Sequence, residues 1–215
     1  MLTAEQIQAN KERFIELIKG VSFEGADAEG LIKWLEASDF FTTSASTQFH
    51  ACYEGGLCEH SLHVYDNLSK LVATYAPNKY QEDSIRIVAL LHDLAKVNFY
   101  TKEFKNKKIY SDTGKKSDEM GRFDWVSIPG YAVRDVSERF VVGTHGQNSV
   151  ILINRFLPMT LEETAAVLWH MGCLDMGAMD KEISNVFNKY SLAVLLHTAD
   201  LIATYIDEQV LPTVQ

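Results

Sequence analysis

Three cysteines, four prolines and no long apolar run set the first limits on this 215-residue chain. Cys52, Cys58 and Cys173 form neither a C-x-x-C pair nor an even-numbered framework, so a disulfide-stapled fold is excluded and reduced thiols are expected. No stretch approaches the ~20 apolar residues a membrane-spanning helix needs. The first residues, Met1 to Glu5, lack a basic segment followed by an apolar one, so no signal peptide is visible and a cytoplasmic location is expected. Positive charge is also scarce. With 20 Lys and Arg against 29 Asp and Glu, the net charge of -9 argues against a broad footprint for duplex DNA or an anionic membrane. Neither G-x-x-x-x-G-K-[ST] nor G-x-G-x-x-G occurs, so backbone cradles for phosphate of those kinds are not expected.

What is present is a series of helical patterns. Thr3 with Gln6 reads as a capping box opening a helix that Gly20 ends, and a second helix spans about Ala26 to Ala37. Phe40 to Gly56 is irregular and carries His50, which fits either a binding role or a solvated loop position. A third helix runs from about Leu57 to Tyr75, with His60 and His63 three residues apart on one face. That spacing suits two metal ligands, or one ligand and one residue that orients it or moves a proton. Glu82 to Val97 reads as a buried central helix, apolar nearly all round its second half, interrupted by His92 and Asp93.

From Phe99 to about Phe140 the helical period fades. Phe99 to Phe104 alternates as a strand does, a turn is expected at Asn106, Lys108 to Tyr110 pairs back as a hairpin, and Phe123 to Val126 makes a third strand before Pro129. Lys102, Lys105, Lys107, Lys108, Lys115 and Lys116 sit in this insertion. They suit a clamp for an anionic substrate, or equally a solvated edge protected by charge. Helices resume at Thr144, at Thr160 (whose capping box uses Glu163), over Ile183 to Phe187, and from Ser191 to about Val210. The whole is mainly α with a small antiparallel β insertion.

The chemistry-bearing residues interrupt apolar helices. A carboxylate beside an imidazole is costly in such surroundings without a partner, and both groups are good ligands for divalent cations. Asp93 and Asp200 break apolar runs, and His60, His92, His145 and His170 lie on or at the start of separate helices. Facing helices whose side chains converge are how a bundle builds a metal site.

Four segments in this order resemble the HD-domain superfamily of metal-dependent phosphohydrolases, over about residues 49 to 206. Gly55-Gly56-Leu57-Cys58-Glu59-His60-Ser61-Leu62-His63-Val64 is similar to the family's G-G-L-x-x-H-S/T-L-x-V segment, and Leu91-His92-Asp93-Leu94-Ala95-Lys96 to its H-D-[IL]-[GA]-K core. His197-Thr198-Ala199-Asp200 looks like its closing H-x-A-D, and the segments around His145 and His170 resemble small stand-alone bacterial and phage-type members. The resemblance implies an HD-domain helical bundle forming a single domain over residues 1–215. Residues 1–40 would be covering helices, 49–98 and 143–210 the metal-binding core, and 99–140 the β-rich insertion.

It further implies His60, His92, Asp93 and Asp200 as ligands of a first metal. His145 and His170 match two extra ligands of members that bind two ions, in which the carboxylate matching Asp93 bridges them. With one ion, His145 and His170 would contact substrate instead. The implied cofactor is one or two divalent ions of Fe, Mn, Co, Ni or Zn, with Mg²⁺ also compatible.

The implied activity is hydrolysis of a phosphate monoester or phosphodiester, expected to be a nucleotide, by metal-activated water. Asp93 is expected at the centre of that chemistry, Lys96 as a phosphate contact and His63 as an orienting or proton-transfer group. Short single-stranded nucleic acid is a further substrate the lysine-rich insertion suits. A metal- or nucleotide-binding module without turnover is the alternative.

Overall fold

The computed structural model of the protein describes residues 1–48, 50–172 and 180–208. It is mainly α, with one three-stranded antiparallel sheet among the described residues. Helix α1 (Ala4–Lys19) starts at the Thr3–Gln6 capping box, where the N–H groups of Thr3 and Gln6 each donate to the other's side chain, and it stops at Gly20. Helix α2 (Ala28–Ala37) is capped by Asp27. Phe14 and Ile18 from α1, with Leu31 and Leu35 from α2, are fully buried against Phe40 and the central helices.

Those central helices are α3 (Gly56–Tyr75) and α4 (Glu82–Leu91). Ile85, Ile87, Val88, Ala89, Leu90 and Leu91 of α4 are all buried, so this helix is enclosed on nearly every side, as its unbroken apolar pattern requires. It is shorter than the pattern predicts. The α-helix ends at Leu91, Asp93 takes φ -100° and ψ 19°, and Leu94–Lys96 forms a 3-10 turn. The apolar run continues through the break, which is why periodicity alone does not reveal it.

The insertion also differs from expectation. Strand β1 (Tyr100–Tyr110) is unbroken through Asn106, which pairs with Ser127 rather than turning. The partner of β1 is β3 (Gly121–Val133), in register from Tyr100 opposite Val133 to Tyr110 opposite Phe123, and the short β2 (Lys116–Asp118) flanks the far end of β3. Pro129 lies inside β3, opposite Phe104, beyond the reach of β2. The missing amide of Pro129 therefore faces an open edge, where proline is tolerated.

Among the described residues, three more helices, α5 (His145–Ile153), α6 (Leu161–Leu168) and α7 (Asp180–Lys189), precede α8 (Ser191–Ile202). Capping boxes at Thr144 with Gln147 and at Thr160 with Glu163 start α5 and α6. The helix of Ile183 to Phe187 extends to Asp180–Lys189. The last helix is shorter than predicted, giving way to a π-helical turn at Ala203–Asp207. The expected continuation to Val210 and the loop before Asp180, with Cys173, lie outside the described residues. Helix α3 packs against α4 and α8, and α6 against α5 and α8. The ends of these helices therefore meet at one place.

Candidate metal centre

Six side chains converge there. His60 comes from the first turns of α3, His92 and Asp93 from the end of α4, His145 from the first position of α5, His170 from the turn after α6, and Asp200 from α8. His60, His92 and His170 are completely buried, and Asp93 nearly so. The break after α4 places Asp93: leaving the helix lets the carboxylate point inward beside His92 rather than around the helix from it.

The two oxygens of Asp93 face different partners. Oδ2 lies 2.5 Å from Lys96 Nζ, 3.5 Å from His60 Nε2 and 3.6 Å from His92 Nε2. Oδ1 lies 2.5 Å from His145 Nε2 and 3.5 Å from His170 Nε2. His60 Nε2 is also 3.3 Å from Asp200 Oδ1 and 3.3 Å from His92 Nε2. Around a transition-metal ion with bonds of about 2.1 Å, neighbouring donors stand roughly 3.0–3.4 Å apart. The distances from His60 Nε2 to His92, Asp93 and Asp200, and from His92 Nε2 to Asp93, at 3.3–3.6 Å, are close to that value.

The far sides of the rings decide which nitrogen is offered. His92 Nδ1 lies 2.8 Å from Ala89 O, and His170 Nδ1 lies 2.6 Å from Val167 O. A carbonyl oxygen only accepts, so each Nδ1 carries the proton and each Nε2 presents a lone pair to the centre. His170 Nε2 has no hydrogen-bond partner among the described residues although fully buried. Its nearest acceptor is Asp93 Oδ1 at 3.5 Å, which with Asp200 raises the His170 pKa against burial, so a positive charge, whether a proton or a cation, is favoured at this nitrogen.

The electrostatics agree. Burial lowers the His92 pKa to about 3, with Asp93 opposing and His170 and His60 reinforcing, so His92 is a neutral imidazole. Burial also opposes the charge on His60, but Glu208 and Asp200 outweigh it and raise its pKa to about 10. Its proton stands where a cation would stand. Burial disfavours the charge on Asp93, yet Lys96, His92 and His145 hold its pKa well below the usual carboxylate range. His60 likewise dominates over burial at Asp200 and lowers its pKa. Two buried groups thus have donors close enough together to hold a metal ion: His60, His92 and Asp200, and His92, Asp93 and His170.

All six expected ligands are brought together. Lys96 is buried beside them, its ammonium turned to Asp93. His63 sits one turn along α3 and meets Glu208 Oε1 at 2.9 Å, the oxygen that also lies 3.0 Å from His60 Nδ1. His197, part of the closing segment, is not in the cluster; its Nδ1 donates to His170 O at 2.5 Å and supports the turn carrying that histidine. His50 does reach the centre. Its ring lies 4.8 Å from that of His60, and neither ring nitrogen has a hydrogen-bond partner among the described residues. Burial lowers its pKa to about 4.

Glu208 carries no motif signal in the sequence, yet it is buried against His60 and His63. With His50 and His60 it makes a third group of closely spaced donors. Of the insertion's lysines, Lys102 pairs with Glu54, Lys105 with Glu103 and Lys108 with Asp118. Comparison with family models, curated proteins and solved structures finds no match to this chain.

Proposed function

We propose that the chain is an HD-type metal-dependent phosphohydrolase that cleaves a phosphate monoester or phosphodiester of a nucleotide. The observation that carries this reading is the contact of His60 and His92 through their Nε2 atoms at 3.3 Å, with two carboxylates at comparable distance. Like lone pairs do not meet unless a proton or a cation lies between them. His60, His92, Asp93 and Asp200 would hold one ion. His145 and His170, on the Oδ1 side of Asp93, would serve a second ion or the substrate.

A divalent ion bound there supplies Lewis acidity and a nucleophilic hydroxide near neutral pH. The chain's own residues do the rest. His145, Asp200 and Lys96 retain partial exposure, whereas His60, His92 and His170 have none, so a phosphate reaches the centre from the side of the former three. Lys96 adds a positive charge beside Asp93 for an arriving phosphoryl oxygen to meet. The buried imidazoles exclude bulk water behind the site. Cys58 is no competing nucleophile, because burial and then Glu59 push its thiol pKa up.

The test is hydrolysis of an aryl phosphodiester, then of a panel of mononucleotides and linear and cyclic dinucleotides, with Mn²⁺, Co²⁺, Ni²⁺ and Mg²⁺. Metal-dependent turnover that Asp93→Ala abolishes supports the reading, and activity retained by that variant contradicts it.

A further inference from the structure

Glu208 stands 148 residues from His60 in the chain, and its side chain is 1 % exposed. Its Oε1 lies 3.0 Å from His60 Nδ1 and 2.9 Å from His63 Nδ1, and its Oε2 lies 3.2 Å from His60 Nδ1. Burying a carboxylate this deeply is costly unless its partners and its purpose compensate. We propose that Glu208 is the positioning residue of the metal centre: it holds the proton of His60 on Nδ1 and so commits the Nε2 lone pair to the ion. This rests on the metal-centre reading given above.

Three observations carry it. First, every fully buried histidine of the centre has an acceptor on Nδ1. His92 and His170 use the carbonyls of Ala89 and Val167, each three residues back in their own chain segment. His60 alone uses an anionic acceptor, delivered from a distant element. A carboxylate on the remote nitrogen fixes the tautomer and makes the imidazole a stronger donor to metal.

Second, the backbone bends to deliver it. Eight residues at about 100° each would leave Glu208 roughly 80° around a continuous α-helix from Asp200. The π-helical turn Ala203–Asp207, closed by Glu208 N–H donating to Ala203 O at 3.0 Å, absorbs one extra residue. That swings Glu208 back by about 100°, toward the side of the helix that carries Asp200. Third, the charges balance. Asp93 and Asp200 against Lys96 leave one negative charge at the centre; adding Glu208 leaves two, the complement of one divalent ion bound by neutral imidazoles.

A structural alternative makes Glu208 only an anchor for the end of the chain. The neighbouring anchor separates the two roles: Asn67 Nδ2 donates to Asp207 Oδ2 at 2.7 Å and makes no hydrogen bond to the six clustered residues. Dissociation constants for Zn²⁺ and Mn²⁺ are measured by chelator competition on the full chain, alongside thermal midpoints of the metal-free proteins. Glu208→Ala is expected to weaken metal binding about 10–100-fold. Glu208→Gln, which keeps an acceptor oxygen and loses the charge, should fall between it and the wild type. Asn67→Ala should lower the thermal midpoint and leave the metal constants within about threefold of wild type, well short of the loss expected for an orienting partner.

Wild-type affinity in Glu208→Ala overturns the assignment and leaves the metal centre standing. Equal weakening in Asn67→Ala and Glu208→Ala also overturns it, in favour of the anchor. A wild-type chain that takes up neither ion overturns the metal-centre reading and this assignment with it.

Discussion

At the scale of residues, the centre is a balance of opposed titrations, and this gives the metal-free protein a definite pH profile. His60 has its pKa raised from 6.5 to about 10, against burial, by Glu208 and Asp200. Its stabilisation is therefore complete below pH 6.5 and is lost as pH rises through about 10. His92 is the reverse case, its pKa lowered from 6.5 to about 3 chiefly by burial. Below pH 6.5 the unfolded chain binds a proton there that the folded chain refuses, so stability falls toward pH 3. His50, lowered to about 4 by burial, adds to the acid-side loss.

The chelated protein should thus show its highest thermal midpoint near pH 6.5, with losses on both sides. A midpoint rising steadily from pH 5 to 9 would contradict this. With saturating Zn²⁺ or Mn²⁺ the alkaline loss should shrink, because the ion replaces the proton on His60.

At the scale of elements, the centre depends on how closely helix ends approach. Gly146, the second residue of α5, is where α5 meets the end of α6: a methyl group there would lie 2.2 Å from Leu168 O. The close atoms, the carbonyl O and C of Leu168, are backbone, so neither can rotate away as a side chain would. Gly146→Ala should push α5 from α6, parting His145 from His170, at a cost of about 1–3 kcal/mol. Urea denaturation together with metal affinity checks this, and a variant unchanged in both would show that the helices have room to spare.

The elements are also where sequence and structure part most. The helix starts at Thr3 and Thr160 are legible, because a capping box is a local hydrogen-bond pattern written in adjacent residues, and the start within Gly143 to Asn148 is legible from the apolar pattern that follows it. The end of α4 is not, since Leu94 and Ala95 are as apolar as the helix before them and the break is imposed by tertiary contacts, among them Ala95 N–H donating to Ser149 Oγ at 3.1 Å. Asn106 reads as a turn residue by composition, yet a long cross-strand register with β3 carries the chain straight through it. Glu208 is the hardest case. It belongs to no motif, and its partnership with His60 depends on a π turn that a continuous helical pattern conceals.

At the scale of the whole molecule, Asp93 and Asp200 stand out in the sequence because each breaks an apolar helical run where an unpaired carboxylate is costly, while His60, His92, His145 and His170 are singled out as a set by the family resemblance. Their convergence is a property of the packing of α3, α4, α5, α6 and α8, which no local pattern contains. A centre shared by five helices should couple metal binding to the stability of the entire chain. Free metal at about 100 times its dissociation constant should stabilise the fold by about 2.7 kcal/mol. This is read as a rise in the thermal midpoint that a chelator reverses. A midpoint indifferent to both would mean that the helices pack around the histidines without needing an ion.

The most direct measurement is the metal content of the chain purified without chelator, by elemental analysis, beside that of Asp93→Asn prepared in the same way. The wild type is expected to carry one or two transition-metal ions per chain. The variant keeps the size of the side chain but loses the charge and one of the two acceptor oxygens that face Lys96 and His145, and it should carry none while remaining folded. A folded wild-type protein that holds no ion, and takes up none when offered Mn²⁺, Co²⁺ or Zn²⁺, would contradict the account.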